Sequence, residues 1–175
     1  MNKIIILLLL TAVLASACSN EGDDISGFPE YSGPVLEVND AEMLYSDSAR
    51  VLVKFTAPHQ LEYQNGDRDF PKGIDIILYE KDGTEKSTIV ADQGRYDKEE
   101  DQYTATGNVI VKNVVSGDEL RTEVLYWEPS KQTIHTDRYV EITSGGEIIM
   151  GEGLTSNQDF SSYQILKPTG AFSVQ

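Results

Sequence analysis

Residues 89–94, 120–125 and 149–154 read Ile-Val-Ala-Asp-Gln-Gly, Leu-Arg-Thr-Glu-Val-Leu and Ile-Met-Gly-Glu-Gly-Leu. Each copy places an apolar residue, a small residue and an acid at the same spacing, and successive copies begin 31 and 29 residues apart. A unit of about 30 residues is too short to bury a core alone. Recurring copies therefore predict stacked units that share one interior.

The sequence around these copies has the two-residue period of β-strands. Val109 and Val111 fall on one face of an extended segment, as do Val140 and Ile142. Turn-forming residues such as Asn65-Gly66, Asp82-Gly83 and Gly145-Gly146 separate these segments. The chain after the first 17 residues has no capped apolar stripe of helical period, so we predict an all-β protein.

The apolar positions change parity at the acid of each copy. Leu120 and Thr122 fall on one face of an extended strand, whereas Leu125 and Trp127 fall on the other. A β-bulge or a corner at Glu123 would return all four side chains to the same side. We therefore expect a sheet that bends at one place in every unit and curves around an interior, in preference to a flat sandwich.

The N-terminus predicts a secretion signal that ends at a lipid attachment site. Residues 4–10 are an apolar run after Lys3, and residues 14–18 read Leu-Ala-Ser-Ala-Cys. This pattern resembles the bacterial lipoprotein signal, in which the cysteine is lipidated and becomes the new N-terminus. An ordinary signal peptide cleaved after Ala17 and an uncleaved anchor are the alternatives, although the run is short for a bilayer span. Cys18 is the only cysteine, so no intrachain disulfide can form.

The chain is strongly acidic, with a formal charge of −15. Residues 1–17 contain one basic residue and no acid, so their removal leaves a charge of −16. Such a surface repels nucleic acid and anionic membrane. Residues 18–34 are predicted to be a lipidated N-terminus and flexible tether, and residues 35–175 to be a single domain.

The sequence contains no convincing catalytic set. His59 and His135 are far apart, and no nucleophile stands beside a base. The acids at residues 99–101 lack the spaced oxygen ligands of a calcium loop. Residues 151–153 (Gly-Glu-Gly) precede no helix that could bind phosphate. We expect neither an enzyme nor a metal or other cofactor, and inward parity favours core packing of Trp127 over a sugar platform.

Three segments have a distinctive order and spacing: residues 126–129 (Tyr-Trp-Glu-Pro), residues 136–140 (Thr-Asp-Arg-Tyr-Val) and residues 149–160. Together they resemble the LptC family, the periplasmic component of the lipopolysaccharide export ABC transporter. The lipoprotein start resembles the form found in Bacteroidota-type bacteria, and the repeat is similar to that of OstA/LptA-type export proteins. The resemblance implies a twisted antiparallel β-jellyroll, partly open along one side, whose apolar groove binds the acyl chains of lipid A.

The resemblance also implies a set of partners and a location. The glycolipid would come from the inner-membrane ABC transporter and pass to a homologous LptA-like bridge in the periplasm. Many family members have a transmembrane anchor helix, whereas this chain has Cys18. The implied location is the periplasm, with the lipid anchor in the inner membrane.

Candidate groove residues follow from inward parity together with this resemblance. They are Val51, Val53, Phe55, Ile76, Leu78, Ile89, Val109, Val111, Leu120, Leu125, Trp127, Ile134, Val140, Ile142 and Leu154. Parity alone favours an ordinary dry core, and the resemblance favours a partly open groove. Lys54, Arg121 and Arg138 are candidate contacts for an anionic headgroup, which an acidic carrier must otherwise leave outside.

An open jellyroll also leaves unpaired strand edges, expected near residues 35–44 and 162–174. Edge pairing with the next protein would extend the groove through main-chain hydrogen bonds. The predicted edge residues are Val35, Leu36, Val38, Tyr163, Ile165 and Gly170. The alternative function is a structural or adhesive cell-envelope lipoprotein that binds protein or glycan.

Overall fold

The computed structural model describes residues 31–169, which form eleven β-strands and a short 3-10 helix, Pro129–Lys131. The strands are β1 (Leu36–Asp47), β2 (Arg50–Glu62), β3 (Arg68–Phe70), β4 (Ile74–Tyr79), β5 (Glu85–Ala91), β6 (Gln93–Asp97), β7 (Gln102–Asn113), β8 (Glu119–Glu128), β9 (Thr133–Ser144), β10 (Glu147–Asn157) and β11 (Tyr163–Thr169). The predicted turns separate these strands, and the all-β prediction is confirmed. Cys18, the predicted signal and Gly170 lie outside the described residues.

All strand pairs are antiparallel and belong to one sheet. Strands β7 to β11 follow one another as a meander, because each short turn returns the chain beside the strand it has just left. On its other side β7 pairs with β5 and β6, while β2 pairs with β1, β3 and β4. Within residues 31–169, β1 pairs only with β2 and β11 only with β10, so the sheet edges lie where the sequence predicted them.

The sheet bends at the acid of every repeat, as predicted. Asp92 separates β5 from β6, which act as two halves of one bent strand. Between β8 and β9 the register shifts across the segment 122–126, which contains Glu123. Between β9 and β10 the shift falls immediately after Glu152. These irregularities lie side by side across neighbouring strands, so they form one line along which the sheet folds over on itself.

The first of these corners shows what the acid does. The Asn108 side chain donates a hydrogen bond of 2.6 Å to the Asp92 carboxylate, and the Asp92 amide donates one to the Gly107 carbonyl. Gly107 and Asn108 have left-handed φ angles of 79° and 46°, a conformation that glycine and asparagine tolerate best. The acid therefore stabilises the corner of the adjacent strand, which is a structural role.

The folded sheet encloses one apolar cluster. Phe55 and Phe70 pack in it with ring centroids 4.7 Å apart, and Phe70 and Phe160 are fully buried although neither belonged to the predicted interior. Phe70 ends a strand of only three residues and Phe160 lies in a loop, so neither showed strand periodicity.

One predicted interior residue, Val51, lies on the outer face. Tyr45 pairs with Val53 and Ser46 with Val51, so Leu52 has no partner across the β1–β2 hairpin and forms a bulge. Because of the bulge, the side chains that precede Leu52 in β2 point to the face opposite to the one that strict alternation predicts. Val51 is consequently 37% exposed, and Leu52 takes the inward position in its place.

Candidate functional site

The predicted groove residues form the packed interior of the jellyroll. Fourteen of the fifteen, all except Val51, have at most 8% of their surface exposed and belong to a single apolar cluster. The prediction of inward parity is confirmed for these fourteen side chains, which largely fill the space between the two halves of the sheet. Their role in binding a ligand stays a prediction.

An open cleft of about 540 Å³ lies beside this cluster. The β1–β2 hairpin forms one wall, and the start of β7, the end of β8 and the 3-10 helix contribute to the other. The cleft is lined by Met43, Leu44, Tyr45, Leu52, Val53, Phe55, Tyr96, Asp101, Tyr103, Trp127, Pro129, Ser130, Gln132 and Gln158. Its volume falls within the range of about 300–1,000 Å³ that is usual for small-molecule sites.

A row of aromatic rings forms the floor of the cleft. Tyr103 lies at its centre, with ring centroids 5.6 Å from Phe55, 4.6 Å from Tyr96 and 5.0 Å from Trp127. Burial raises the pKa of the Tyr103 hydroxyl, and burial together with a hydrogen bond to Asp101 raises that of Tyr96. Both phenols are therefore neutral at physiological pH, and the row of rings gives the cleft an apolar floor beside the Asp101 carboxylate.

The loop between β10 and β11 closes one side of this site. Its Gln158 side chain accepts a hydrogen bond of 3.1 Å from the Trp127 indole and lines the cleft. Two residues later, Phe160 is fully buried in the apolar cluster and stacks on Tyr163 at 5.0 Å. Sequence reasoning missed this loop because residues 157–162 are polar apart from Phe160 and carry no periodic signal.

The three candidate headgroup cations lie outside the cleft and each has an acidic partner. Lys54 is 2.9 Å from Glu42, Arg121 is 2.6 Å from Glu119 and Arg138 is 3.4 Å from Asp137. Three paired outward cations give no sign of a specific anion site, since an ion pair already offsets each charge.

Arg68 is a cation that contacts the cleft residues. Its guanidinium lies 4.8 Å from the centre of the Tyr96 ring and donates a 3.3 Å hydrogen bond to the Met43 sulfur. Its nearest acid, Glu62, is at 3.9 Å, near the limit of an ion pair. The guanidinium makes a cation–π contact with the Tyr96 ring of the aromatic floor.

The remaining candidate side chains do not assemble into a reactive group. His59 Nε2 lies 2.6 Å from a Glu37 carboxylate oxygen, and His135 stacks on Tyr126 at 5.1 Å, so the two histidines have separate surroundings. Across residues 31–169, no three His, Cys, Asp or Glu side chains are grouped to hold a metal ion. The same described part of the chain contains no helix long and apolar enough to cross a membrane.

Comparison with known families identifies the relationship of this jellyroll. A family model described as lipopolysaccharide-assembly, LptC-related, matches residues 4–169. The chain belongs to the LptC family. No curated protein matches its sequence. LptC-family proteins are periplasmic, envelope-associated components of lipopolysaccharide transport, so the chain has a role in that transport, and the predicted family and fold are confirmed.

Proposed function

We propose that this protein is a non-enzymatic carrier of lipopolysaccharide. It accepts the glycolipid from the inner-membrane ABC transporter, holds the acyl chains of lipid A, and passes them to an LptA-like periplasmic bridge. The observation that carries the proposal is the aromatic cleft, which adjoins a continuous apolar interior in an LptC-family jellyroll.

The cleft suits this task energetically. Each methylene group withdrawn from water is worth about 0.8 kcal/mol, so acyl chains cannot cross the periplasm unprotected. Apolar walls of the cleft replace the membrane around a tail at similar free energy. The direction of transfer must then come from the partner ATPase.

The volume of the cleft limits what it holds. A space of about 540 Å³ accommodates part of a multi-tailed glycolipid, not all of its tails. Full loading therefore requires the packed side chains between the two halves of the sheet to separate. We take the cleft as the entry point and the fourteen buried residues as the surface that the tails contact afterwards.

The free edge of β11 is the proposed docking site for the bridge. Tyr163 and Ile165 pack partly on the core, whereas Leu166 and the residues after it are exposed. Pairing of this edge with a strand of a homologous jellyroll would continue both sheet and groove. Gly170, the predicted end of the edge, lies outside the described residues.

The free edge of β1, at the other end of the sheet, is proposed to face the transporter. Val35 and Leu36 are exposed there, 57% and 49% respectively, and Val38 follows on the same strand. A carrier with one partner at each edge can bind both at once, as a relay requires.

Lipidation of Cys18 is the proposed means of attachment, with residues 18–34 as tether to the domain from residue 35 and the inner membrane as the site of anchoring. Metabolic labelling with an alkyne fatty acid should mark the protein and should fail for Cys18→Ser. Labelling of Cys18→Ser equal to that of the wild type would contradict this part of the proposal.

Site-specific photo-crosslinking tests the carrier function. The bulge in β2 provides a matched pair, because Leu52 lines the cleft while its neighbour Val51 lies on the outer face. A diazirine side chain at position 52 should capture lipopolysaccharide in growing cells. The same group at position 51, or at the outward Lys112, should capture little.

The outcomes separate the two candidate functions. Capture at position 52 well above that at positions 51 and 112 supports the carrier. Equal or absent capture at all three positions would contradict it and would favour the structural or adhesive alternative. A separate crosslinking experiment tests the docking edge. A diazirine at Gln164 of β11 should capture the bridge protein, whereas one at Tyr139 on the outer face of β9 is the control.

A further inference from the structure

We infer that residues 158–162, the plug loop, are a displaceable closure of the jellyroll interior that moves aside to admit acyl chains beyond the cleft. This inference rests on the proposed carrier function, because it concerns how the same site is opened. The plug loop connects β10 to β11, with Gln158 lining the aromatic cleft and Phe160 belonging to the buried cluster.

Phe160 is the part of the plug loop that enters the interior. Its side chain is fully buried and belongs to the apolar cluster, and its backbone has a left-handed φ of 53°. A bulky aromatic residue rarely adopts that conformation, which costs free energy and persists only when surrounding contacts enforce it. Phe160 is therefore inserted against the preference of its own backbone, and such strain favours release once the contacts are lost.

Polar contacts near the start and near the end of β7 hold the plug loop in place. On one side the Lys86 ammonium lies 2.9 Å from the Asp159 carboxylate, and the Asn113 side chain donates a 3.2 Å hydrogen bond to the Asp159 carbonyl. On the other side the Trp127 indole donates to the Gln158 side chain. Asn113 ends β7, while Trp127 pairs with the start of β7.

The plug loop thus spans the two sides of the bend. Asn113 and the residues around Trp127 lie on opposite sides of the Gly107–Asn108 corner of β7, and the loop contacts both. Separation of the two halves of the sheet requires these contacts to break. The same contacts need not break if tails occupy the cleft alone.

The ion pair is the fastening most accessible to water, whereas Asn113 and Trp127 are buried. The Lys86 and Asp159 side chains keep 26% and 21% of their surface exposed, so their ion pair contributes modestly to stability. The main cost of opening is exposure of Phe160 and its apolar neighbours. Acyl chains that enter behind the loop cover that surface again, so the ligand offsets the cost of the opening that admits it.

Gln158 makes the cleft and the plugged space contiguous. Its side chain lines the cleft, and the buried Phe160 lies two residues further on. Movement of the loop would consequently extend the cleft into the interior rather than open a second, separate cavity. The interior then becomes accessible from the same mouth at which the tails first bind.

The test compares the capture of lipopolysaccharide, in growing cells, by a crosslinker in the cleft and by one in the interior of the protein. A diazirine at Leu52 reports on the cleft, and one at the fully buried Ile142 reports on the interior. Lys86→Met removes the ion pair to Asp159 together with the one to Glu80, without touching the cleft. Glu80→Gln removes the Glu80 pair alone and shows how much of the effect that pair accounts for. Lys54→Met, which removes an ion pair of the same length on the outer face, is the matched control.

We expect Lys86→Met to raise capture at position 142 about fivefold relative to the control. Loss of about 1 kcal/mol of interaction would raise the population of the open state by that factor. Capture at position 52 should be unchanged. Phe160→Ala should raise deep capture further, and if that variant fails to fold, Lys86→Met still decides.

Two negative outcomes are distinguishable. In the first, lipopolysaccharide is captured at position 52, but neither Lys86→Met nor Phe160→Ala raises its capture at position 142. That result would overturn the role of the plug loop and leave the carrier function intact. In the second, the otherwise unsubstituted protein captures no lipopolysaccharide at position 52 or at position 142. That result would contradict the carrier function on which the plug loop depends.

Discussion

The Lys86 ammonium and the Asp159 carboxylate lie 2.9 Å apart and join β5 to the loop after β10. A second acid, Glu80, lies 2.6 Å from the same ammonium. The hydrogen bonds that the Lys86 ammonium donates to Glu80 and to Asp159 raise the pKa of Lys86. Burial opposes ionisation of Asp159, but hydrogen bonds from Lys86 and Ser161 outweigh it and lower the pKa of the carboxyl. Both groups are thus charged at neutral pH.

A double-mutant cycle should measure this contact directly. Lys86→Met, Asp159→Asn and the double variant are expected to give a coupling free energy of about 0.5–1 kcal/mol, because both side chains are partly solvated. Urea unfolding of the four proteins at pH 7 supplies the measurement. Additive effects of the two substitutions would show that the ion pair does not fasten the loop.

Asp67 should make the free energy of unfolding depend on pH. The Lys98 amide and the Asn65 side chain donate hydrogen bonds of 3.1 Å and 2.9 Å to its carboxylate and, with Arg95 nearby, lower its pKa below the usual 3.8. A lowered folded pKa means that the stabilisation is complete above pH 3.8 and is lost as pH falls through the folded value.

Asp67→Asn should therefore be less stable than the wild type by about 1–2 kcal/mol at pH 6, through loss of charge-assisted hydrogen bonds. The difference should shrink at pH 3 and below, where the wild-type carboxyl also becomes neutral. Urea unfolding across this range checks it, with the exposed Asp47→Asn as control. A gap that stays constant with pH would contradict the assignment.

The β2 bulge predicts opposite outcomes for adjacent residues. Val51→Asp places a charge on the outer face and should change the free energy of unfolding by about 0.5 kcal/mol or less. Leu52→Asp places the charge in the cleft, where it must be desolvated by an acyl chain, and should lower lipopolysaccharide binding at least tenfold. Equal binding by the two purified variants would argue against the cleft as the lipid site.

Gly151 is predicted to fix the position of the C-terminal edge. A Cβ atom there would lie 2.6 Å from the Lys167 carbonyl oxygen and even closer to an Ile165 methyl group. Gly151→Ala should therefore displace β11, destabilise the fold by about 1–3 kcal/mol and weaken capture of the bridge protein. Thr155→Ala on the exposed side of β10 is the control, and a Gly151→Ala variant with wild-type stability and capture would refute the prediction.

Periodicity and the repeated acids predicted most of this fold. The parity change at Asp92, Glu123 and Glu152 predicted a bulge or corner, and the strand breaks at Asp92 while the pairing register shifts around Glu123 and after Glu152. The same parity placed fourteen side chains correctly inside, because burial of alternate residues is what gives a strand its sequence signature.

The misplacement of Val51 shows where such reasoning ends. A bulge inserts one residue into the pairing of two strands, and the residues near Leu52 carry no glycine or other sign of it. Phe160 was missed for a different reason. A single apolar residue in a polar loop has no periodicity, and its burial depends on contacts with Tyr163 and the rest of the distant cluster.

Fluorescence of Trp127, the only tryptophan in the chain, tests the central claim most directly because its indole lines the cleft. Lipopolysaccharide with brominated acyl chains should quench this fluorescence saturably, whereas the deacylated saccharide should not. A variant with Trp127→Phe and Tyr126→Trp moves the indole to the neighbouring outward position and should escape quenching. Binding of the brominated glycolipid without quenching of Trp127, or with equal quenching in the variant, would contradict the account.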